Sequence, residues 1–142
     1  MMNILFQPTD DLAFSAEITY QNMSPYYEKY GVEWQQQQIV DQVKSLDNWD
    51  IVEEGQIIGT FRLAFEADSC YLRDLQVSSS YQKKGVGSAV LKEIERLTLQ
   101  SDIKKVKLRV FKISPAFHLY QRSGFVVVKE DDRFFYMEKP LV

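Results

Sequence analysis

The chain has 142 residues, of which 45% are hydrophobic and 26% charged, a globular composition expected to form one domain over residues 1–142. Its 17 Lys and Arg against 20 Asp and Glu give a net charge of −3, which argues against a general nucleic-acid binder. A single cysteine, Cys70, and a single histidine, His118, exclude an intramolecular disulfide and a structural zinc site built on Cys and His.

No apolar run approaches the ~18–20 residues of a membrane span, and the start MMNILFQPTDD lacks the basic, then apolar, pattern of a signal peptide. The expected setting is a reducing cytoplasm. Along the chain, Ile4–Gln7 reads as a strand ended by Pro8. Asp10 or Asp11 caps a helix to about Asn22, and Ser24–Pro25 restarts a helical turn that stops at Gly31. Another helix is expected over about Glu33–Leu46.

The period then changes from helical to alternating. Asp50–Glu53 and Ile57–Phe65 flank a Glu54–Gly55 turn as a hairpin, and Cys70–Val77 follows a break at Asp68–Ser69. Val86, Ala89, Val90, Ile94 and Leu97 fall on one helical face. Lys107–Phe111 alternates as a strand, Ser114 caps a short helix begun by Pro115, and Gly124 stops it. Phe125–Lys129 and Phe134–Glu138 form a last hairpin. The strands that flank the helix from Val86 should be parallel, because a helix crossover joins them. The expected fold is α/β, a mostly antiparallel mixed sheet with one parallel pair and helices on both faces.

The stretch LRDLQVSSSYQKKGVGSAVL (Leu72–Leu91) carries the chemical signal. A strand ends, a polar loop follows, and Gly85 and Gly87 lead into a helix beside Lys83 and Lys84. Glycines at a helix start let backbone N–H groups converge on an anion, so this reads as a diphosphate site or as an ordinary turn. The motif G-x-x-x-x-G-K-[ST] is absent, and G-x-G-x-x-G would need a glycine where Val90 stands.

Gln82-Lys83-Lys84-Gly85-Val86-Gly87 resembles the [QR]-x-x-G-x-[GA] acyl-CoA loop of the GNAT acetyltransferase superfamily, and YLRDLQV before it resembles that family's preceding strand. VFKISPAFHLYQRSGF (Val110–Phe125) resembles the later family block VxxxNPAxxLYxxxGF. The resemblance covers roughly Tyr71–Phe125. It implies an acetyl-CoA-dependent N-acetyltransferase, with direct attack by a primary amine in a ternary complex and CoA as product. By the same resemblance, backbone N–H groups of Gln82, Lys83, Lys84, Gly85, Val86, Gly87 and Ser88 hold the pyrophosphate. Main-chain groups across Leu75, Gln76 and Val77 pair with the pantetheine arm like an added strand. Tyr120 matches the tyrosine that protonates the leaving thiolate. Ser114 stands where the family often has asparagine, with shorter reach toward the cofactor.

Asp74, on the strand, and Glu33, in the helical region, are candidate bases, alongside water or an amine that arrives neutral. Tyr26, Tyr27, Tyr30 and Trp34 would suit an aromatic wall around a cationic acceptor, or a helix packing face. His118 is expected at the surface and Cys70 in the core. The acceptor is a small-molecule or peptide amine, no metal is required, and a monomer or homodimer is compatible with the sequence. The rival readings are a non-catalytic acyl-CoA sensor on the same fold and a protein-interaction domain.

Overall fold

A computed structural model describes residues 2–141. In chain order the elements are β1 (Ile4–Pro8), α1 (Leu12–Lys29), α2 (Gln36–Val43), β2 (Asp47–Glu53), β3 (Gln56–Phe65) and β4 (Cys70–Val77). A 3₁₀ turn at Ser79–Tyr81 precedes α3 (Val86–Gln100), β5 (Lys105–Phe111), α4 (Ala116–Arg122), β6 (Val126–Glu130) and β7 (Phe134–Pro140). The seven strands form one sheet in the order β1-β2-β3-β4-β5-β7-β6. β4 and β5 are parallel, in register from Cys70↔Val106 to Leu72↔Leu108. The pairs β1–β2, β5–β7 and β6–β7 are antiparallel. The mixed sheet with one parallel pair is therefore as the sequence implies.

The chain divides into two compact units. The first comprises the residues up to Arg62 together with Asp74–Val86, and the second Leu63–Arg73 together with the residues from Gly87 onward. In the first, Asp11 caps α1 by accepting from the Phe14 N–H at 3.0 Å. Ala16, Ile39 and Val43 form the core between α1 and α2, with Leu12, Tyr27 and Trp34 packed against it. Phe61 stacks on Trp49 at 6.0 Å and meets Phe6 edge-on at 5.8 Å. The Glu54–Gly55 turn has φ of 49° and 78° at its two residues, the mirror-image turn that matches strand twist in a two-residue hairpin.

Several helix boundaries differ from the expectation. Pro25 lies inside α1 rather than starting a new turn. Its missing N–H forfeits one bond, and the Ser24 hydroxyl donates to the Tyr20 carbonyl at 2.6 Å beside it. α2 begins at Gln36, so Glu33 lies in the preceding loop and not in a helix. The Gln35 N–H donates to Gln38 Oε1 at 2.7 Å and fixes that start. The Asn48 side chain donates to the Val43 and Leu46 carbonyls at 2.9 Å each and ends the helix early.

In the second unit, Leu63, Cys70, Leu72, Val90, Ile94, Val106, Leu108 and Met137 are buried. α4 begins at Ala116, one residue later than expected, with Pro115 at φ −64° just before it. Gly124, at φ +98°, ends that helix, and the Phe125 N–H donates to the Tyr120 carbonyl at 3.0 Å. β6 starts at Val126 and carries a bulge between Val127 and Lys129.

Candidate active site

The loop after β4 is shaped by two residues in the left-handed region, Lys83 at φ +62° and Gly85 at φ +85°. The chain then enters α3 at Val86. The first N–H groups of an α-helix have no intrahelical acceptor, and they carry the positive end of the dipole. The stretch from Ser78 to Ser88 holds Lys83 and Lys84 and no carboxylate. Lys84 Nζ lies 5.8 Å from the Tyr81 ring centroid. These features fit a diphosphate. The two loop glycines serve different ends. A Cβ at Gly85 would meet nothing within 4 Å, so its φ is what requires glycine. A Cβ at Gly87 would lie 2.6 Å from Leu119 Cδ2 of α4, so its small size lets the start of α3 approach that helix.

On β4 the register with β5 ends at Leu72, and the strand runs on through Asp74, Leu75, Gln76 and Val77. Gly59 of β3 lies against this end. A Cβ there would fall 2.4 Å from the Gln76 carbonyl oxygen and 3.2 Å from Val77 Cα. The Val77 carbonyl accepts from Asn22 Nδ2 at 2.9 Å and from Gln82 Nε2 at 2.8 Å. Both of its lone pairs are thus engaged within the first unit.

Asp74 is tied into a polar network. Its Oδ2 pairs with Arg62 Nη1 and accepts from Thr19 Oγ1 at 3.3 Å, and its Oδ1 accepts from Gln76 Nε2 at 2.7 Å. Arg62 is fully buried at 0% side-chain exposure, against 19% for Asp74. It also donates to Thr19 Oγ1 at 2.8 Å, Ser15 Oγ at 2.7 Å and Asn48 Oδ1 at 2.9 Å. Burial pulls the guanidinium below its ordinary range, and the adjoining Asp74 carboxylate opposes that shift. Asn22 Nδ2 donates to Gln76 Oε1 at 3.1 Å and so extends the network to the Val77 carbonyl.

The aromatic group divides. Tyr27 and Trp34 pack together, ring centroids 6.2 Å apart, against the α1–α2 core. Tyr26 and Tyr30 are half-buried on α1 and at its end, and Glu33 is exposed. Burial, with the Asp74 charge second, pushes the Tyr27 phenol up to about 12, and Arg62 opposes the shift.

In the second unit, Tyr120 of α4 is buried and meets Phe125 edge-on at 5.8 Å. Ser114 Oγ accepts from the Ala116 N–H at 3.2 Å, but the N-cap of α4 is Pro115, one residue later than the expected Ser114. His118 is exposed. Among the described residues no three His, Cys, Asp or Glu side chains gather as a metal site. Nor is any helix among them long and apolar enough to cross a membrane.

The model of the acetyltransferase (GNAT) family matches residues 14–125. This chain belongs to the GNAT acetyltransferase family. Over 82 residues it is 29% identical to the uncharacterized protein YxbD of Bacillus subtilis (strain 168), an alignment that takes in 56% of this chain and 50% of that protein. The chain therefore spans about half the length of that curated relative. Its structure is similar to that of the PaiA N-acetyltransferase from Thermoplasma acidophilum in complex with coenzyme A, at a TM-score of 0.74 and 20% identity over 98% of this chain and 99% of that one. A GNAT acetyltransferase from Elizabethkingia anophelis with acetyl-CoA bound gives 0.72 and 15% over 98% and 99%. The ribosomal-protein-S18-alanine N-acetyltransferase of Escherichia coli gives 0.73 and 16% over 98% and 94%. At these identities the likeness is one of fold.

For this GNAT chain, sequence reasoning gave no role to Arg62, Gly59 or Asn22. A signal for the first was available. An arginine inside the apolar run IIGTFRLAF, with Ser15 and Thr19 spaced i, i+4 on a helix, marks a buried cation with acceptors opposite it.

Proposed function

We propose that this chain transfers an acetyl group from acetyl-CoA to a primary amine by direct attack in a ternary complex. The observation that carries the reading is the loop from Gln82 to Ser88, where left-handed backbone at Lys83 and Gly85 leads into α3 without an acidic side chain. Backbone N–H groups of Gln82, Lys83, Lys84, Gly85, Val86, Gly87 and Ser88 would hold the pyrophosphate, with Lys83 and Lys84 adding charge. Leu75 offers main-chain groups to the pantetheine arm, Val77 its N–H, and Ser114 its hydroxyl proton, while Gln76, whose carbonyl lies against Gly59 of β3, supports the strand between them. Acetyl-CoA supplies an acetyl thioester already activated toward amines.

Tyr120 gives its Oη proton to the departing sulfur. A phenol near 10 can protonate a thiolate near 8.5 once the two are held together. A backbone N–H in the Leu75–Val77 stretch polarises the carbonyl under attack. Asp74 already accepts from Arg62, Thr19 and Gln76. This favours a role in positioning β4 through Arg62 over a role in removing the amine proton. Tyr26 and Tyr30 would flank that amine, with Tyr27 and Trp34 holding their helix in place. Glu33, exposed in the loop, is left to relay a proton to solvent.

The test is Tyr120→Phe, assayed by release of free thiol with a panel of a polyamine, a lysine peptide and a peptide with a free N-terminus. We expect kcat to fall about a hundredfold, with acetyl-CoA affinity within about twofold of the wild type. An unchanged kcat at saturating amine would remove the acid role.

A further inference from the structure

Charge is segregated between the two units. The second holds 12 Lys and Arg against nine Asp and Glu, the first five against 11. A chain of net −3 thus combines a unit of net +3 with one of net −6.

Much of the positive charge lies on one sheet face of the second unit. On β5, Val106, Leu108 and Val110 are buried, so Lys105, Lys107 and Arg109 point to the other side. The register extends that face. Tyr71 of β4 is paired with Lys107, Tyr136 of β7 with Arg109, and Lys129 of β6 with Tyr136. Arg73, two residues beyond Tyr71, shares the face. Arg73, Arg109 and Lys129 are exposed, and the others are half-buried.

The aromatic rings organise these cations. The Arg73 guanidinium carbon lies 5.2 Å and Lys107 Nζ 5.3 Å from the Tyr71 centroid. The Arg109 guanidinium carbon is 4.2 Å from the Phe134 centroid, and Lys129 Nζ is 5.3 Å from that of Tyr136. A long side chain resting on a ring has less rotamer freedom to lose on binding. A guanidinium over a ring also keeps N–H edges for a carboxylate at its side. Lys107 is neutralised by Glu66 at 2.6 Å, and Lys105 lies 3.7 Å from Glu138. Among the described residues Arg73, Arg109 and Lys129 enter no ion pair.

We infer that this face docks an acidic polypeptide segment, whose carboxylates pair with Arg73, Arg109 and Lys129. From β4 to β6 is three strand spacings, about 14 Å, which four or five extended residues cross. Single-stranded nucleic acid fits less well. The chain's own cations lie over the rings that bases would stack on.

The test is fluorescence anisotropy on the whole chain with three probes: a labelled peptide of alternating Glu and Ser, its Gln and Ser counterpart, and a single-stranded oligonucleotide of matched length. The Glu peptide alone should bind, more weakly as salt rises. Combined Arg73→Glu, Arg109→Glu and Lys129→Glu should weaken it at least about tenfold. Combined Lys92→Glu, Arg96→Glu and Lys104→Glu, an equal charge change at exposed positions elsewhere in the unit, should change it less than about twofold. Unchanged thermal melting of both variants would exclude unfolding as the cause. No binding of the Glu peptide, equal binding of the Gln peptide, tighter binding of the oligonucleotide, or equal weakening in both variants would overturn the inference.

Discussion

The two units treat an arginine on a strand in opposite ways. In the first, Arg62 is fully buried on β3 and needs four partners at once, Ser15, Thr19, Asn48 and Asp74. In the second, Arg109 is exposed on β5, rests on the ring of Phe134 and hydrogen-bonds the Tyr136 side chain. A buried cation stays charged only with a full set of acceptors, so its neighbours cannot be changed singly without cost. A surface cation keeps its hydration, and its neighbours can be changed one at a time.

The largest expected effect follows from that contrast. Asp74→Ala leaves the Arg62 charge buried without a carboxylate and should lower unfolding free energy by about 3–5 kcal/mol. Arg109→Ala should stay within about 0.5 kcal/mol of wild type. Urea unfolding of both variants measures the difference, and similar losses would break the comparison.

A pair of glycines sharpens it at the next level. At Gly59 a new Cβ meets the Gln76 carbonyl oxygen at 2.4 Å, which is backbone and cannot swing aside. At Gly87 it meets Leu119 Cδ2 at 2.6 Å, the end of a side chain that can. Gly59→Ala should cost about 1–3 kcal/mol, and Gly87→Ala clearly less, in the same unfolding assay. Equal costs would mean that the β3–β4 approach yields as readily as a leucine rotamer.

The smallest effect concerns Tyr27. Burial holds its phenol up to about 12, so the fold favours the neutral form. The unfolded value is about 10. Its contribution to stability is therefore complete below pH 10 and is lost as pH rises toward about 12. Tyr27→Phe should flatten that part of the stability–pH profile, measured by thermal melts across the alkaline range. An unaltered profile would assign the alkaline loss to other groups.

Local signals were legible in the sequence, and long-range ones were not. Asp11, one of two candidate caps, and Gly31 and Gly124 act on their own turn of backbone, so residue type located the ends they make to within a residue. In the Gln82–Gly87 loop Gly85, at φ +85°, was legible in the same way, whereas the left-handed backbone of Lys83 at φ +62° was not announced by its residue type. Pro25 misled because a proline fits either a helix start or an interior site that forgoes one bond. The helix expected from Glu33 was too long at both ends because Gln38 and Asn48 supply side-chain hydrogen bonds that composition does not announce. Arg62 is the clearest case. Its partners Ser15 and Thr19 lie more than forty residues away in the chain, and its burial becomes affordable only when the fold brings them to β3. The engagement of the Val77 carbonyl by Asn22, 55 residues away in the chain, was hidden for the same reason.

The most direct test of the account is a calorimetric titration of the purified protein with acetyl-CoA, with ATP and NAD as controls. The account predicts about micromolar binding, near −8 kcal/mol, for acetyl-CoA and none for the controls. Equal heat from all three, or no heat from acetyl-CoA together with no thermal shift, would contradict it.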